Sequence, residues 1–204
     1  EIRSRGLGDV YKRQKQFNMD TTNTRRVVDV FSVATSRSLL DMTSLTEAMK
    51  FGGAAGKSYG MTLEQTVASL AKFRDIGLEG SLAGTNFRMA LAQASVVTQK
   101  KTKVLERLGL TYDDISPSLK GFAGVIDTVK DSSISGEDAL VLFGRRAGAQ
   151  MVLLAQSVKS NEEALKKLKD QYDQGLITEA QFQEASKKFT TIRMLTEELS
   201  QGAG

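Results

Sequence analysis

The run Gly52-Gly-Ala-Ala-Gly-Lys57-Ser58 comes nearest to a chemical motif in this sequence, because a glycine-rich loop ending in Lys-Ser cradles phosphates with its amides. That loop needs a further glycine five positions before Gly56, where Phe51 stands. It also joins a buried strand to a helix, whereas a helical pattern runs in from Ser44, so nucleotide binding is not expected. Asp113 and Asp114 are adjacent and do not aim at one substrate from a shared face, which argues against a paired-carboxylate hydrolase. Lys100, Lys101 and Lys103 read as a solvated helix start, without the interleaved aromatics of a single-strand binder. Arg145 and Arg146 precede small residues and could contact phosphate or an acidic partner; one solvated and one snorkelling arginine is the favoured reading. Cys, His and Trp are absent, which removes disulfides, thiolate and imidazole metal sites, Ser-His triads and Cys nucleophiles. The expectation is a non-enzyme with no cofactor and no metal.

The 204 residues, 40% hydrophobic and 25% charged, have the composition of a globular chain able to bury a core. The chain opens at Glu1 without Met, and Gly6 to Gln14 resembles a translated sequencing adapter. Residues 1–14 are therefore expected to be non-native and are set aside. They hold Arg3, Arg5, Lys12 and Arg13 against Glu1 and Asp9, so half of the net charge of +4 leaves with them and no specific nucleic-acid partner is expected. The most apolar stretch, Ala147 to Val158, contains Gln150 and Gln156 and is shorter than the roughly 18 to 20 residues a membrane span requires.

Apolar residues recur at helical spacing nearly throughout. Phe87, Ala90, Leu91 and Ala94 sit at i, i+3, i+4 and i+7, and Phe122, Val125, Ile126 and Val129 repeat the template. Capping boxes appear at Ser44–Glu47, Thr62–Gln65, Ser160–Glu163 and Thr178–Gln181, and Gly77 and Gly109 stand where left-handed stops are wanted. Helices are expected near 24–40, 44–58, 63–76, 81–97, 99–108, 119–131, 136–158, 161–173 and 179–200. Pro117 suits a helix start. Leu140–Phe143 has strand-like apolarity, but Leu140, Phe143, Ala147, Met151 and Leu154 continue one helical stripe and favour a helix. After about residue 158 small residues give way to Lys, Glu and Gln. There Leu165, Leu168 and Tyr172 answer Phe182, Ala185, Phe189 and Ile192 across Gly175, an αα-hairpin pattern. The fold class expected is all-α: a multi-helix bundle of short Gly-capped helices over 15–158, then a helical hairpin over 159–204, with room for a longer coiled rod beyond. Gly52, Gly56 and Gly60, Gly80 and Gly84, and Gly144 and Gly148 lie at four-residue spacing, which lets helix backbones approach. Tight intramolecular packing is the favoured reading, with self-association or a membrane-competent helix as alternatives.

Five segments then follow in order: Ser44-Leu-Thr-Glu-Ala-Met-Lys-Phe, Gly60-Met-Thr-Leu-Glu-Gln-Thr-Val-Ala-Ser-Leu-Ala, Gly77-Leu-Glu-Gly-Ser-Leu-Ala-Gly-Thr-Asn-Phe-Arg, Leu105-Glu-Arg-Leu-Gly-Leu and Val141-Leu-Phe-Gly-Arg-Arg-Ala-Gly. As an ordered series over residues 25–158 they resemble the core region of phage tail tape measure proteins. The motif positions are Glu47, Gly60, Thr62, Gln65, Gly77, Gly80, Gly84, Thr85, Arg88, Gly109, Phe143, Gly144, Arg146 and Ala147. Arg74-Asp75 departs from the small or apolar residues usual there, and 159–204 lies outside the match.

The resemblance implies a fragment of a much longer structural protein of the virion tail, lying in the tube lumen and made in the host cytoplasm. Such a protein scaffolds tube assembly, sets tail length and assists genome ejection. It implies as partners the tail tube protein, tail assembly chaperones and distal tail or baseplate proteins, with self-association and a host membrane during ejection as further possibilities. The competing reading is an independent helical membrane-binding or interaction module built on the glycine strips and amphipathic helices. Fully helical, the native residues would span only about 280 Å at roughly 1.5 Å per residue, and the glycine stops favour a folded-back bundle.

Overall fold

The computed structural model describes residues 24–202, so the adapter-like residues 1–14 lie outside the described residues. Among the described residues nine α-helices follow in order: α1 Thr24–Arg37, α2 Met42–Ser58, α3 Leu63–Asp75, α4 Gly80–Ala94, α5 Gln99–Leu108, α6 Pro117–Asp131, α7 Gly136–Asp173, α8 Glu179–Ser186 and α9 Ile192–Gln201. Short 3-10 turns occupy Tyr112–Ile115 and Lys187–Phe189, and no strand occurs among the described residues. The chain is all-α.

The centre of the bundle is α3, buried on every side: Leu63, Val67, Leu70 and Phe73, and also Thr66 and Ser69. A helix without a solvent face needs its polar atoms satisfied locally. Thr66 Oγ1 donates to the Thr62 carbonyl at 2.9 Å and Ser69 Oγ to that of Gln65 at 2.7 Å. Buried Glu64 accepts from Arg26 Nη2 at 2.7 Å, which ties α1 to α3. Phe73 on α3, Phe87 on α4 and Phe122 on α6 form a buried aromatic triad, with Phe87–Phe122 centroids 5.0 Å apart and edge-to-face, and Phe73–Phe122 at 5.7 Å.

Several boundaries differ from the expectation. The cap of α2 is Asp41, whose carboxylate accepts from the Ser44 amide at 2.7 Å, so the helix starts three residues before the Ser44–Glu47 box has its chance. Ser160–Glu163 lies inside α7, because nothing before it stops the helix. What interrupts α7 is Gly144, at φ +80° and ψ 162°; in the segment before it Ala139, Leu142 and Phe143 are the buried residues, and Leu140 faces solvent instead of continuing the stripe of Phe143, Ala147, Met151 and Leu154. The helix expected at 81–97 ends at Ala94, and Thr98 caps α5. Thr62–Gln65 and Thr178–Gln181 do form reciprocal boxes, and Pro117 opens α6.

The C-terminal segment is a hairpin followed by a return. Arms α7 and α8 meet through stacked Tyr172 and Phe182, 5.3 Å between centroids, and Gly175 turns the chain at φ +72°. The helix expected over 179–200 is instead broken at Thr190 and Thr191, and Thr191 caps α9. Ile192, expected in the hairpin seam, is buried with Leu195 and Leu199 on the face of α9 that packs into the bundle beside α3 and α1. Residues 158–160 thus fall inside a continuous helix, and the chain beyond the hairpin rejoins the core.

Two outcomes follow from this packing. Truncating Phe122→Ala empties the centre of the triad and lowers unfolding free energy by about 3 to 5 kcal/mol in urea titration. Asp114 is held at about 2, against 3.8 for a free carboxyl, by the Lys120 ammonium and by the Thr111 amide and hydroxyl. Its folded state therefore binds the proton less readily than the unfolded one, so the stability it lends is complete above pH 3.8 and fades as pH falls towards 2. Asp114→Asn flattens the decline of the urea midpoint across that window, and an unchanged slope would contradict the assignment.

Candidate functional site

Two of the motif glycines, Gly80 and Gly84, sit where α4 crosses α2. A Cβ on Gly84 would stand 2.2 Å from the Ala48 carbonyl oxygen, and one on Gly80 2.5 Å from that of Ser44. From α2, a Cβ on Gly52 would meet Leu70 and Phe87 at 3.1 Å and the Gly84 Cα at 3.3 Å. The glycine spacing is used for close packing within the chain, the favoured of the three readings. Gly60 is not part of that strip: it turns the chain at φ +76° after α2, as Gly77 does after α3 at +93° and Gly109 at the end of α5 at +69°. Gly56 faces Thr66, and Gly148 packs on the Ala139 carbonyl across the Gly144 break.

The other motif positions divide by burial. Phe143 and Ala147 are core residues. Thr62 and Gln65 serve the cap of α3, with the Thr62 amide donating to Gln65 Oε1 at 2.9 Å and the Gln65 amide to Thr62 Oγ1 at 3.2 Å. Glu47, Arg88 and Arg146 are exposed and form no ion pair among the described residues, and Thr85 is half-buried. Phe51, 38% exposed, flanks the crossing beside Gly84, with the Lys50 ammonium 5.8 Å from its ring centre. The structure therefore gathers Glu47, Gly80 and Gly84 around one helix crossing, while Gly109 and the Phe143 to Ala147 group lie on other elements.

The remaining chemical candidates resolve differently. Gly52 to Ser58 is helix, its amides committed to the turn before, and Lys57 and Ser58 are exposed at its end. Lys101 departs from the solvated start expected of it: it is 3% exposed and its ammonium donates to the Gln93 carbonyl, and burial pushes its pKa down. Lys100 and Lys103 are exposed, as are both Arg145 and Arg146. Asp113 is exposed, whereas Asp114 lies within the 3-10 turn, accepts from the amide and hydroxyl of its cap Thr111 and pairs with Lys120.

Sequence reasoning passed over Asp138. It is buried at the start of α7, and burial alone would raise its pKa. The Ser135 hydroxyl and amide and the Arg107 guanidinium outweigh that and hold it low. Its signal was present, since Ser135 and Asp138 stand at capping-box spacing with Asp in place of Glu. Among the described residues no group of three or more acidic, Cys or His side chains is placed to hold a metal.

The model of a family described as phage-related minor tail protein matches residues 9–180 of the chain. Two relatives are similar in sequence. The tape measure protein of Pneumococcus phage Dp-1 is 30% identical over 105 residues, 52% of this chain and 9% of that protein. A protein described as a probable tape measure protein of Escherichia phage P2 is 26% identical over 154 residues, 72% of this chain and 19% of that protein. The chain thus spans less than a fifth of the length of either relative. No solved structure matches it.

The crossing predicts opposite results for two like substitutions. Gly84→Ala drives a methyl into the Ala48 carbonyl, which neither backbone relieves without separating the helices, and costs about 1 to 3 kcal/mol or more. Gly136→Ala in the first turn of α7 meets nothing within 4 Å and adds roughly 0.4 to 1 kcal/mol by restricting the unfolded chain. Thermal melts of the two variants, moving in opposite directions from the parent, check both.

Proposed function

This chain belongs to the phage-related minor tail protein family, and on that premise we propose that it is a compact assembly segment of a tape measure protein, distinct from the length of helix that acts as the ruler. The observation that carries the reading is the α2–α4 crossing, where residues of the tape-measure-like motifs are spent on holding helices together rather than on extending one. The longest helix among the described residues, α7, has 38 residues and is broken at Gly144. At roughly 1.5 Å per residue even an unbroken helix of that length reaches only about 57 Å.

In this reading the parent protein lies in the tail tube lumen, scaffolds the tube protein, is handled by tail assembly chaperones in the host cytoplasm, and meets distal tail or baseplate proteins at its end. Assistance to genome ejection falls to the parent protein as a whole. The exposed motif residues Glu47, Arg88 and Arg146, and half-buried Thr85, are the ones available to touch those partners, since none of them forms an ion pair among the described residues. Among the described residues no helix is long and apolar enough to cross a membrane.

The test is made in a phage carrying the full-length parent gene. Lengthening the 95–98 connection by about thirty helix-forming residues adds roughly 45 Å of helix. The expected result in electron micrographs is fewer assembled tails of unchanged length. Tails lengthened by about that amount would show that this segment is ruler and not assembly domain.

A further inference from the structure

Where the hairpin rejoins the bundle it encloses a groove of about 580 Å³. Its walls come from the end of α1 (Arg37, Ser38), the end of α3 (Lys72, Asp75), the middle of α7 (Ser157, Asn161) and the return from α8 (Glu184, Lys187, Lys188). Leu39 is the one aliphatic residue of the lining, so an apolar ligand has little to bury against. Cations outnumber anions, with Arg37, Lys72, Lys187 and Lys188 facing Asp75 and Glu184.

Three of these cations are already engaged. Lys72, only 6% exposed, donates to Asp75 at 2.8 Å, Lys187 reaches Glu184 at 3.0 Å, and Arg37 reaches Glu198 at 3.3 Å. Lys188 forms no ion pair among the described residues. The lining also holds unspent hydrogen-bonding capacity. Asn161 Nδ2 donates to the Thr190 carbonyl at 3.2 Å, which leaves its Oδ1 to accept, and the Ser157 hydroxyl makes no hydrogen bond within the described residues.

We propose that this groove binds an acidic peptide segment of a partner protein. A bare anion such as phosphate asks only for donors, and a nucleic-acid strand asks for an unbroken row of cations with aromatic platforms. This lining offers neither: it interleaves two carboxylates and an amide acceptor with an excess of positive charge. With Asp75 and Glu184 paired to Lys72 and Lys187 within the chain, a peptide meets the remaining two features, its side-chain carboxylates against Lys187 and Lys188 and its N–H groups on Asn161 Oδ1, while its carbonyls accept from Ser157 and the lysines. The proposal rests on the groove alone and stands whether or not the segment acts in tail assembly.

The test is fluorescence anisotropy of a fluorescein-labelled hexaglutamate peptide with the full chain at physiological ionic strength, where unspecific attraction is screened beyond about 8 Å. Saturable binding is expected. The double reversal Lys187→Glu with Lys188→Glu raises Kd by about tenfold or more, while the same reversal at exposed Lys166 and Lys167 on α7 changes it by no more than about twofold. Ser157→Phe blocks the floor without altering charge and weakens binding as well, and circular dichroism of each variant verifies the fold. Absence of binding overturns the proposal, as does equal weakening by the Lys166 and Lys167 reversal. Displacement of the probe by inorganic phosphate as effectively as by unlabelled hexaglutamate, at matched ionic strength, reassigns the groove to simple anions.

Discussion

The architecture depends on two helix backbones touching. Where α4 crosses α2, the carbonyls of Ser44 and Ala48 occupy the space a side chain on Gly80 or Gly84 would need. The contact is one of backbone against backbone, without the flexible side-chain ends that elsewhere absorb a misfit, so it fixes helix separation more sharply than ordinary apolar packing. Consequences run outward from it. With α4 seated at that distance, Phe87 reaches Phe73 and Phe122, and the triad joins α3, α4 and α6. With α2, α4 and α6 around it and α1 and α9 closing the remaining sides, α3 has no solvent face.

Much of this was legible in the sequence because it is written in local spacing. The stripes of Phe87, Ala90, Leu91 and Ala94, and of Phe122, Val125, Ile126 and Val129, are buried as their periodicity requires. Gly77 and Gly109 take the left-handed backbone their positions implied. The errors share a cause: a cap motif acts only where a helix begins, and where it begins is a competition. Asp41 wins over Ser44 because it comes first and its carboxylate accepts from the amide of Ser44 itself. Ser160 has no helix end to cap, since α7 arrives already formed. Gly144 is the converse case, a glycine inside an unbroken apolar stripe, where spacing alone does not distinguish a small helical residue from a break.

What sequence could not convey was depth. Lys101 sits in a run of three lysines that looks solvated throughout, yet the turn between α4 and α5 folds it onto the Gln93 carbonyl. Ile192 suited the hairpin seam by spacing and belongs instead to α9 and the core. Both choices are tertiary: the same local pattern serves either surface, and the deciding surface lies elsewhere in the chain.

The hairpin obeys a different balance from the bundle. Between residues 159 and 189 no side chain is fully buried, although Leu165, Leu168, Phe182 and Phe189 face inward far enough to be half-covered. Two helices alone have too little mutual surface to hide such a stripe, so the hairpin takes its position from its ends. Lys130 pairs with Glu162 at 2.8 Å near one end, Asn161 ties to Thr190 at the base, and Arg193 bridges to Asp127 at 2.7 Å where α9 begins. Near its base Ile192, Leu195 and Leu199 anchor the returning chain in the core. The polar ties are partly exposed and individually weak, and they work because apolar anchoring at the same base already holds the partners within reach. The groove at that base is thus a product of the return of α9 to the bundle rather than of the hairpin itself.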